Sequence, residues 1–245
     1  MKKLTISITD EKVFLNKELH PKSIENEIPN WYKNMKPNKK IDSKYPLYER
    51  IKRKKNIKTC PSFNTIYKKG YVIYAPIDYY IRFDEEGSLY WETPMLTDNL
   101  VYKKDQVDMH SHDQFLDHLP KNNWIGNMCK LQLPYRIHTP IGYSVAYSNI
   151  PYDFDRKFKV LYGIQDTNLS HPLNLHISID KNIKELYIQQ GEPLCLITPI
   201  KNKILPIKIT DYNSNNKFKN KELMNQIKLF GKFKNGFYKN IKKYY

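Results

Sequence analysis

Short apolar runs separated by turn residues dominate the second half of the chain. From Leu131 to Ile209 they recur at intervals of about 8 to 12 residues, with Pro, Gly, Asn or Asp between them. This spacing is typical of a β-sandwich or a barrel. We therefore predict a mostly β fold whose core covers residues 70–210.

Strands are also expected before this block. Leu4–Ile8 alternates apolar and polar positions, and Tyr71–Phe83 is rich in β-branched and aromatic residues. Pro76 interrupts the second run, which predicts either two strands or one bulged edge strand. The turn after it leads to Ser88–Glu92, the expected hairpin partner.

Between these strands the pattern predicts little regular structure. The segment after Cys60 favours one short helix, with Ser62 as its N-cap and Gly70 at its end. Thr93–Lys121 lacks both the helical and the strand period, and we expect a long loop with no more than a short helix there.

The first 69 residues are predicted to form an arm. Residues 31–58 carry eleven Lys or Arg against two acidic residues, and prolines in and beside this stretch exclude a long helix. Trp31 and Tyr32 are the aromatic anchors expected for this extended segment. The alternative is a solvated connection. The candidate contacts to nucleic acid or a partner are Lys52, Arg53, Lys54 and Lys55.

Residues 211–245 switch to helical spacing. Leu223, Ile227 and Phe230 fall on one helical face, and nine lysines stand against two acidic residues. We predict a basic amphipathic helix that either docks on the β core or contacts phosphate or a partner protein. Its candidate contact residues are Lys239, Lys242 and Lys243.

The net charge of +16 favours nucleic acid among the partners, because lysines that neutralise phosphates release counterions. Abundant Lys, Asn, Ile and Tyr are also what AT-rich coding produces, so coding bias is the alternative source of part of this charge. No secretory or membrane-spanning apolar stretch is apparent. We expect an intracellular protein of the host cytoplasm, with a place in a virus particle as an alternative, and no membrane partner.

Three cysteines, Cys60, Cys129 and Cys195, are too few and too widely spaced for a disulfide framework or a structural zinc site. Each stands beside apolar residues or proline. We interpret all three as small buried hydrophobic residues in a reducing compartment.

A group of potential metal ligands lies in the predicted loop. His110 and His112 would project to one side of an extended segment beside Asp113, and imidazoles with a carboxylate suit zinc or iron(II). The simpler interpretation is a polar loop, and we expect no cofactor. The sequence has no Gly-x-Ser-x-Gly elbow, no phosphate-binding P-loop and no Gly-x-Gly-x-x-Gly motif.

The turns and strands of the late block resemble the core of the trimeric dUTPase and dCTP deaminase superfamily, which has a β-clip fold. The resemblance covers about 70 residues and implies a β-clip as the alternative to a sandwich. Its landmarks here are a Pro-x-Gly-Tyr turn, a Gly-Ile-x-Asp segment, a strand, and a Gly-Glu turn: Pro140, Gly142 and Tyr143; Gly163, Ile164 and Asp166; Leu173–Ile179; Gly191 and Glu192.

Asp166 stands where that superfamily keeps the carboxylate that orients the attacking water, which makes it the candidate catalytic residue. The tyrosine expected soon after it is Leu169, and Ser148–Phe154 replaces the phosphate-binding Pro-Arg-Ser-Ser turn. The closing tail is rich in lysine instead of glycine. Pyrophosphate would have lost its donors. The alternative for Asp166 is a turn residue that bonds its own backbone.

Short phrases along the whole chain, IPNWYK, KTCPSF and GYVIYAPIDYY, resemble a protein family of tailed phages and other large DNA viruses that brings no activity with it. We therefore favour a non-enzymatic viral protein, structural or accessory, that assembles with itself or other viral subunits, with a homo-oligomer expected because such folds cover their sheet edges. The alternatives are a diverged nucleotide hydrolase, a metal-dependent enzyme and a nucleic-acid-binding accessory protein.

Overall fold

The computed structural model describes residues 3–36, 57–84, 88–94, 106–109, 127–169, 171–180, 182–207, 209, 219–221 and 223–224. Within them the chain is mostly β, and this predicted fold class is confirmed. The strands are β1 (Thr5–Ile8), β2 (Lys22–Ser23), β3 (Tyr71–Tyr74), β4 (Tyr79–Phe83), β5 (Leu89–Glu92), β6 (Val107–Met109), β7 (Asn127–His138), β8 (Tyr143–Ser148), β9 (Phe158–Val160), β10 (Gly163–Gln165), β11 (His171–Ile179), β12 (Glu185–Ile188) and β13 (Pro193–Lys201).

Short helices connect the early strands. They are α1 (Glu11–Leu15), α2 (Asn30–Asn34) and α3 (Pro61–Ile66), with 3-10 turns at Lys17–Leu19, Ile24–Glu27 and Ile57–Thr59. The predicted bounds of α3 were wrong. Its N-cap is Cys60, because proline at the first helical position has no N–H to satisfy, and it ends four residues before Gly70.

All strand pairs are antiparallel. The first sheet has the order β1-β7-β11-β9, with β6 also paired to β7. The second has the order β10-β8-β13-β3-β2, and the third has the order β12-β4-β5. The hairpin predicted from Ser88–Glu92 is confirmed as β4 and β5, while β3 and β4 on either side of Pro76 enter different sheets.

The main core lies between the sheets. Along β11, Leu173, Leu175, Ile177 and Ile179 are fully buried at alternate positions, because successive side chains of a strand point to opposite faces. The sequence had predicted this strand from the short apolar run Leu173–Ile179 between turn residues.

The second sheet buries both of its faces. On β3, Ile73 packs in the main core, whereas Val72 and Tyr74 pack in a second apolar cluster on the opposite face. This explains why the sequence of β3 is continuously apolar instead of alternating. Helices α2 and α3 contribute Tyr32 and Phe63 to that second cluster.

Two features differ from the sequence expectations or extend them. β6 lies inside the predicted long loop, where it pairs with β7. The strand predicted at Leu4–Ile8 is confirmed as β1, and β2 is a further strand that was not predicted within the first 69 residues, which were expected to be an arm. The domain borders predicted at residues 70 and 210 remain predictions. The chain forms two compact units, Met1–Asn202 and Lys203–Tyr245.

In the second unit, residues 219–221 and 223–224 are helical. Across the described segments, no helix has both the length and the apolar character needed to cross a membrane.

Candidate functional site

Six aromatic side chains meet at the outer face of the second sheet, where α2, α3 and the β8–β9 loop (residues 149–157) cover it. We call this group the aromatic cluster. Its inner members, Tyr32 and Tyr67, are buried at 4% and 2% exposure. Its outer members include Trp31 and Phe154, which are 41% and 78% exposed. The complete set is Trp31, Tyr32, Phe63, Tyr67, Tyr152 and Phe154.

Hydrogen bonds connect the two helices that carry the cluster. The Tyr32 hydroxyl donates to Asn64 Oδ1 at 2.7 Å, and Asn64 Nδ2 donates to the carbonyl of Lys58 at 2.7 Å. Lys58 Nζ in turn donates to the carbonyls of Lys33, in the last turn of α2, and of Met35, its C-cap, at 2.8 and 2.9 Å. The positions of Trp31 and Tyr32 are therefore fixed relative to α3.

Tyr152 is the centre of the cluster. Its ring stacks on Phe63 with centroids 4.8 Å apart and an interplanar angle of 11°. It also contacts Trp31 edge-on at 6.3 Å and Phe154 at 6.2 Å. Its backbone has φ 60°, a left-handed conformation that a bulky side chain rarely adopts. Such strain persists only where the surroundings hold the residue.

Two polar side chains hold the β8–β9 loop that carries Tyr152. The Asn149 amide imitates a strand partner: Val160 N donates to Oδ1 at 2.7 Å, and Nδ2 donates to the Val160 carbonyl at 3.1 Å. Arg156 donates from Nε to Asp153 Oδ2 at 2.8 Å and from a terminal nitrogen to the Leu194 carbonyl at 2.7 Å. The loop is thus fixed at both ends.

A cleft of about 640 Å³ adjoins the end of this loop. We call it the basic cleft, because Arg156, Lys157 and Lys159 line it against the single lining carboxylate of Asp180. Arg156 is 7% exposed, and its charge is matched by Asp153. Asp180 caps its own turn by accepting from Asn182 N at 2.9 Å. The basic cleft therefore favours an anionic ligand.

Burial keeps the inner phenols neutral. It raises the pKa of Tyr67 to about 12, with nearby Tyr152 as a smaller cause, and it also raises the pKa of Tyr32. Tyr67 donates to the Pro151 carbonyl at 3.4 Å. Both rings act as apolar supports at neutral pH.

Cys60 at the start of α3 contradicts the prediction that all three cysteines are buried. It is partly exposed, whereas Cys129 and Cys195 are buried as expected. The backbone N–H groups of Ser62 and Phe63 lower the pKa of the Cys60 thiol because they stabilise the thiolate. Burial raises the pKa of the other two thiols to about 12.

Asp166, the predicted catalytic residue, lies in an exposed turn after β10. Its Oδ1 accepts from Asn168 N at 3.3 Å, which is the turn geometry named as the alternative. Buried Thr167 anchors the turn, since its hydroxyl lies 2.8 Å from the Thr139 hydroxyl. A catalytic role for Asp166 remains a prediction.

The other predicted site residues lie outside the described segments, so their roles also remain predictions. Among the described residues, no group of three or more His, Cys, Asp or Glu is arranged to hold a metal ion. The predicted site residues that lie outside the described segments are His110, His112, Asp113, Lys52, Arg53, Lys54, Lys55, Lys239, Lys242 and Lys243.

Sequence reasoning singled out Trp31 and Tyr32 but not the aromatic cluster. Its members come from three segments up to about 120 residues apart, and no local pattern joins them. The available signal was weak: aromatic residues in Ser148–Phe154, a stretch with turn composition where no strand needed them.

The described residues thus define a mostly β protein with an aromatic and basic surface. No family model matches the chain. No curated protein sequence matches it. Among solved structures, it is similar to a dUTPase from phage phi11 of S. aureus, at 9% identity and a TM-score of 0.37 over 87% of this chain and 99% of that chain.

A mutant form of that phage dUTPase, described for its coordination of a structural Mg(II) ion, gives 8% identity and a TM-score of 0.37 over 85% of this chain and 97% of that chain. A TM-score this low carries no argument about fold or activity. The choice between a sandwich and a β-clip remains a prediction.

Proposed function

We propose that this chain is a non-enzymatic accessory protein that binds nucleic acid. The observation that carries the proposal is the basic cleft: Lys157 and Lys159 line it against the single lining carboxylate of Asp180, Arg156 is already paired with Asp153, and the chain has a net charge of +16. Phosphates are the anions that a strongly basic surface binds with release of counterions.

The geometry of the basic cleft supports an extended anion. Arg156 is held by Asp153 and the Leu194 carbonyl, so it shapes the wall and contributes little net charge. Lys157 is exposed on the loop, and Lys159 lies two residues further on β9, an edge strand among the described pairs. A chain of phosphates can pass both lysines.

Fluorescence anisotropy of a labelled oligonucleotide, measured over a range of salt concentrations, tests this proposal. We expect the logarithm of the binding constant to fall linearly with the logarithm of the salt concentration. Lys157→Gln should make that slope shallower by about 0.7 for a single strand. Lys12→Gln is the matched control, since this α1 lysine does not line the cleft, and it should leave the slope unchanged.

Asp180→Asn gives a test with the opposite sign. The amide oxygen can still accept from Asn182 N, so the turn is kept while the negative charge is removed. We expect this variant to bind the oligonucleotide more tightly than the wild type. Unchanged binding in both Lys157→Gln and Asp180→Asn, or no binding at any salt concentration, would contradict the proposal.

Nucleotide hydrolysis at Asp166 is the competing proposal. This proposal is supported by the exposed turn around Asp166, which leaves the carboxylate accessible to water. Turnover of dUTP or dCTP that disappears in Asp166→Ala would favour this enzyme over a binding protein. Stoichiometric zinc or iron in the purified protein would favour the His110, His112 and Asp113 site.

The viral origin, the self-association and the assembly role inferred from the sequence belong to the same proposal. They add that the nucleic acid is viral and that several copies bind it together. Sedimentation of the purified protein, and its detection in purified virus particles, test these parts separately.

A further inference from the structure

The outer rings of the aromatic cluster are exposed in a way that core packing does not require. Tyr32 and Tyr67 already complete the second apolar cluster beneath them. Phe154 is 78% exposed on a loop whose conformation is fixed, and Trp31 is 41% exposed on the neighbouring helix. Large apolar rings grouped on a surface mark a binding site more often than isolated ones do.

The cluster is also preorganised. Tyr152 keeps a left-handed backbone because Asn149 and Arg156 hold the loop on both sides of it. Stacking on Phe63 then fixes the direction of the Tyr152 ring. A ligand that binds these rings does not have to order them, so less conformational entropy is lost on binding.

The charges around the rings select the ligand. Helix α2 has no acidic residue in its first turn, and Lys33 stands in its last turn beside Trp31 and Tyr32. Asp155 is the carboxylate of the loop that is not paired with Arg156, and Lys157 follows it toward the basic cleft. Two of the rings, Tyr152 and Phe154, therefore lie on the same loop as Lys157, which lines the basic cleft.

Resting on the proposed function, we propose that the aromatic cluster binds the bases of single-stranded nucleic acid while the basic cleft contacts the phosphates. Bases stack on aromatic side chains with little dependence on sequence, and backbone phosphates follow a positive groove. In a duplex the base faces are covered by their neighbours, so Trp31 and Phe154 could not reach them. A single strand exposes both the base faces and the phosphates that such rings and lysines bind.

The test compares a single-stranded oligonucleotide with the duplex of the same sequence, using Phe154→Ala, Phe154→Tyr and a matched control. Phe14→Ala is that control, because Phe14 is also an exposed phenylalanine, 58% accessible on α1. We expect Phe154→Ala to weaken single-strand binding about tenfold or more. Phe154→Tyr and Phe14→Ala should bind as the wild type does, and duplex binding should not respond to any of them.

A second readout reports on Trp31. Stacking of a base on its indole should quench tryptophan emission when the single strand is added, and the quenching should vanish in Trp31→Phe while most of the affinity remains. Salt-dependent binding that is equal for single strand and duplex and insensitive to Phe154→Ala would overturn this inference and leave the proposed function standing. Absence of binding to either nucleic acid would overturn both.

Discussion

Tyr152 gives a prediction in which stability and binding separate. Its φ of 60° costs a residue with a Cβ about 1–2 kcal/mol relative to glycine. Its half-buried ring offsets that cost by stacking on Phe63 and by contacts with Trp31, Tyr67 and Phe154. Removing the ring and relieving the backbone are thus distinct perturbations of one position.

The substitutions Tyr152→Ala and Tyr152→Gly isolate the backbone term. Both lose the ring, which we expect to lower the free energy of unfolding by about 2–3 kcal/mol, less than full burial would imply. Only glycine adopts the left-handed conformation without strain. Glycine also raises the conformational entropy of the unfolded chain, which offsets part of this advantage. The glycine variant should still be more stable than the alanine variant by about 1 kcal/mol.

Urea denaturation followed by circular dichroism measures this difference, with equal slopes required for the comparison. Tyr152→Phe, which keeps the ring, is the control and should lie within about 0.5 kcal/mol of the wild type. In the binding assay this difference should disappear: the alanine and glycine variants should bind a single strand equally weakly, because both lack the ring. An alanine variant as stable as the glycine variant would refute the role of backbone strain.

Two further predictions concern the surroundings of the site. In the folded protein near pH 8, iodoacetamide should modify Cys60 alone, and the rate should reach half of its maximum below pH 9.0 because the pKa of this thiol is lowered. Cys129 and Cys195 should react only in urea, because burial raises the pKa of both thiols. Mass spectrometry identifies the modified cysteines, and reaction of a buried thiol at the same rate as Cys60 would contradict this prediction. Gly70→Ala should lower the free energy of unfolding by about 3 kcal/mol in urea denaturation, because φ is +126° at this position and a Cβ would lie 2.6 Å from the Ile197 carbonyl oxygen. A loss below about 1 kcal/mol would refute that clash.

The sequence predicted those parts of the fold whose cause is local. β11 could be recognised because Leu173–Ile179 is a short apolar run between turn residues, and the turn at Gly142 from its Pro-x-Gly-Tyr pattern; the observed φ of 86° shows why glycine is needed there. β6 could not be recognised, since Val107–Met109 becomes a strand only by pairing with β7. Tertiary pairing there supplies what three residues cannot specify by themselves.

The site was less predictable because its causes are distant in sequence. The contact between Phe63 and Tyr152 spans almost 90 residues, and Arg156 is fixed by the carbonyl of Leu194. Neither interaction leaves a local pattern. Asp166, which the resemblance favours, lies in a turn that its own side chain stabilises, and its catalytic role remains a prediction.

Photo-crosslinking of the wild-type protein to a single-stranded oligonucleotide that carries halogenated uracil, followed by peptide mass spectrometry, identifies the side chains that touch the bases. We expect crosslinks on Trp31, Tyr152 and Phe154, with competition by unlabelled single strand and not by duplex. Crosslinks confined to residues outside the aromatic cluster, or equal competition by duplex, would contradict the claim that these rings bind the bases of a single strand.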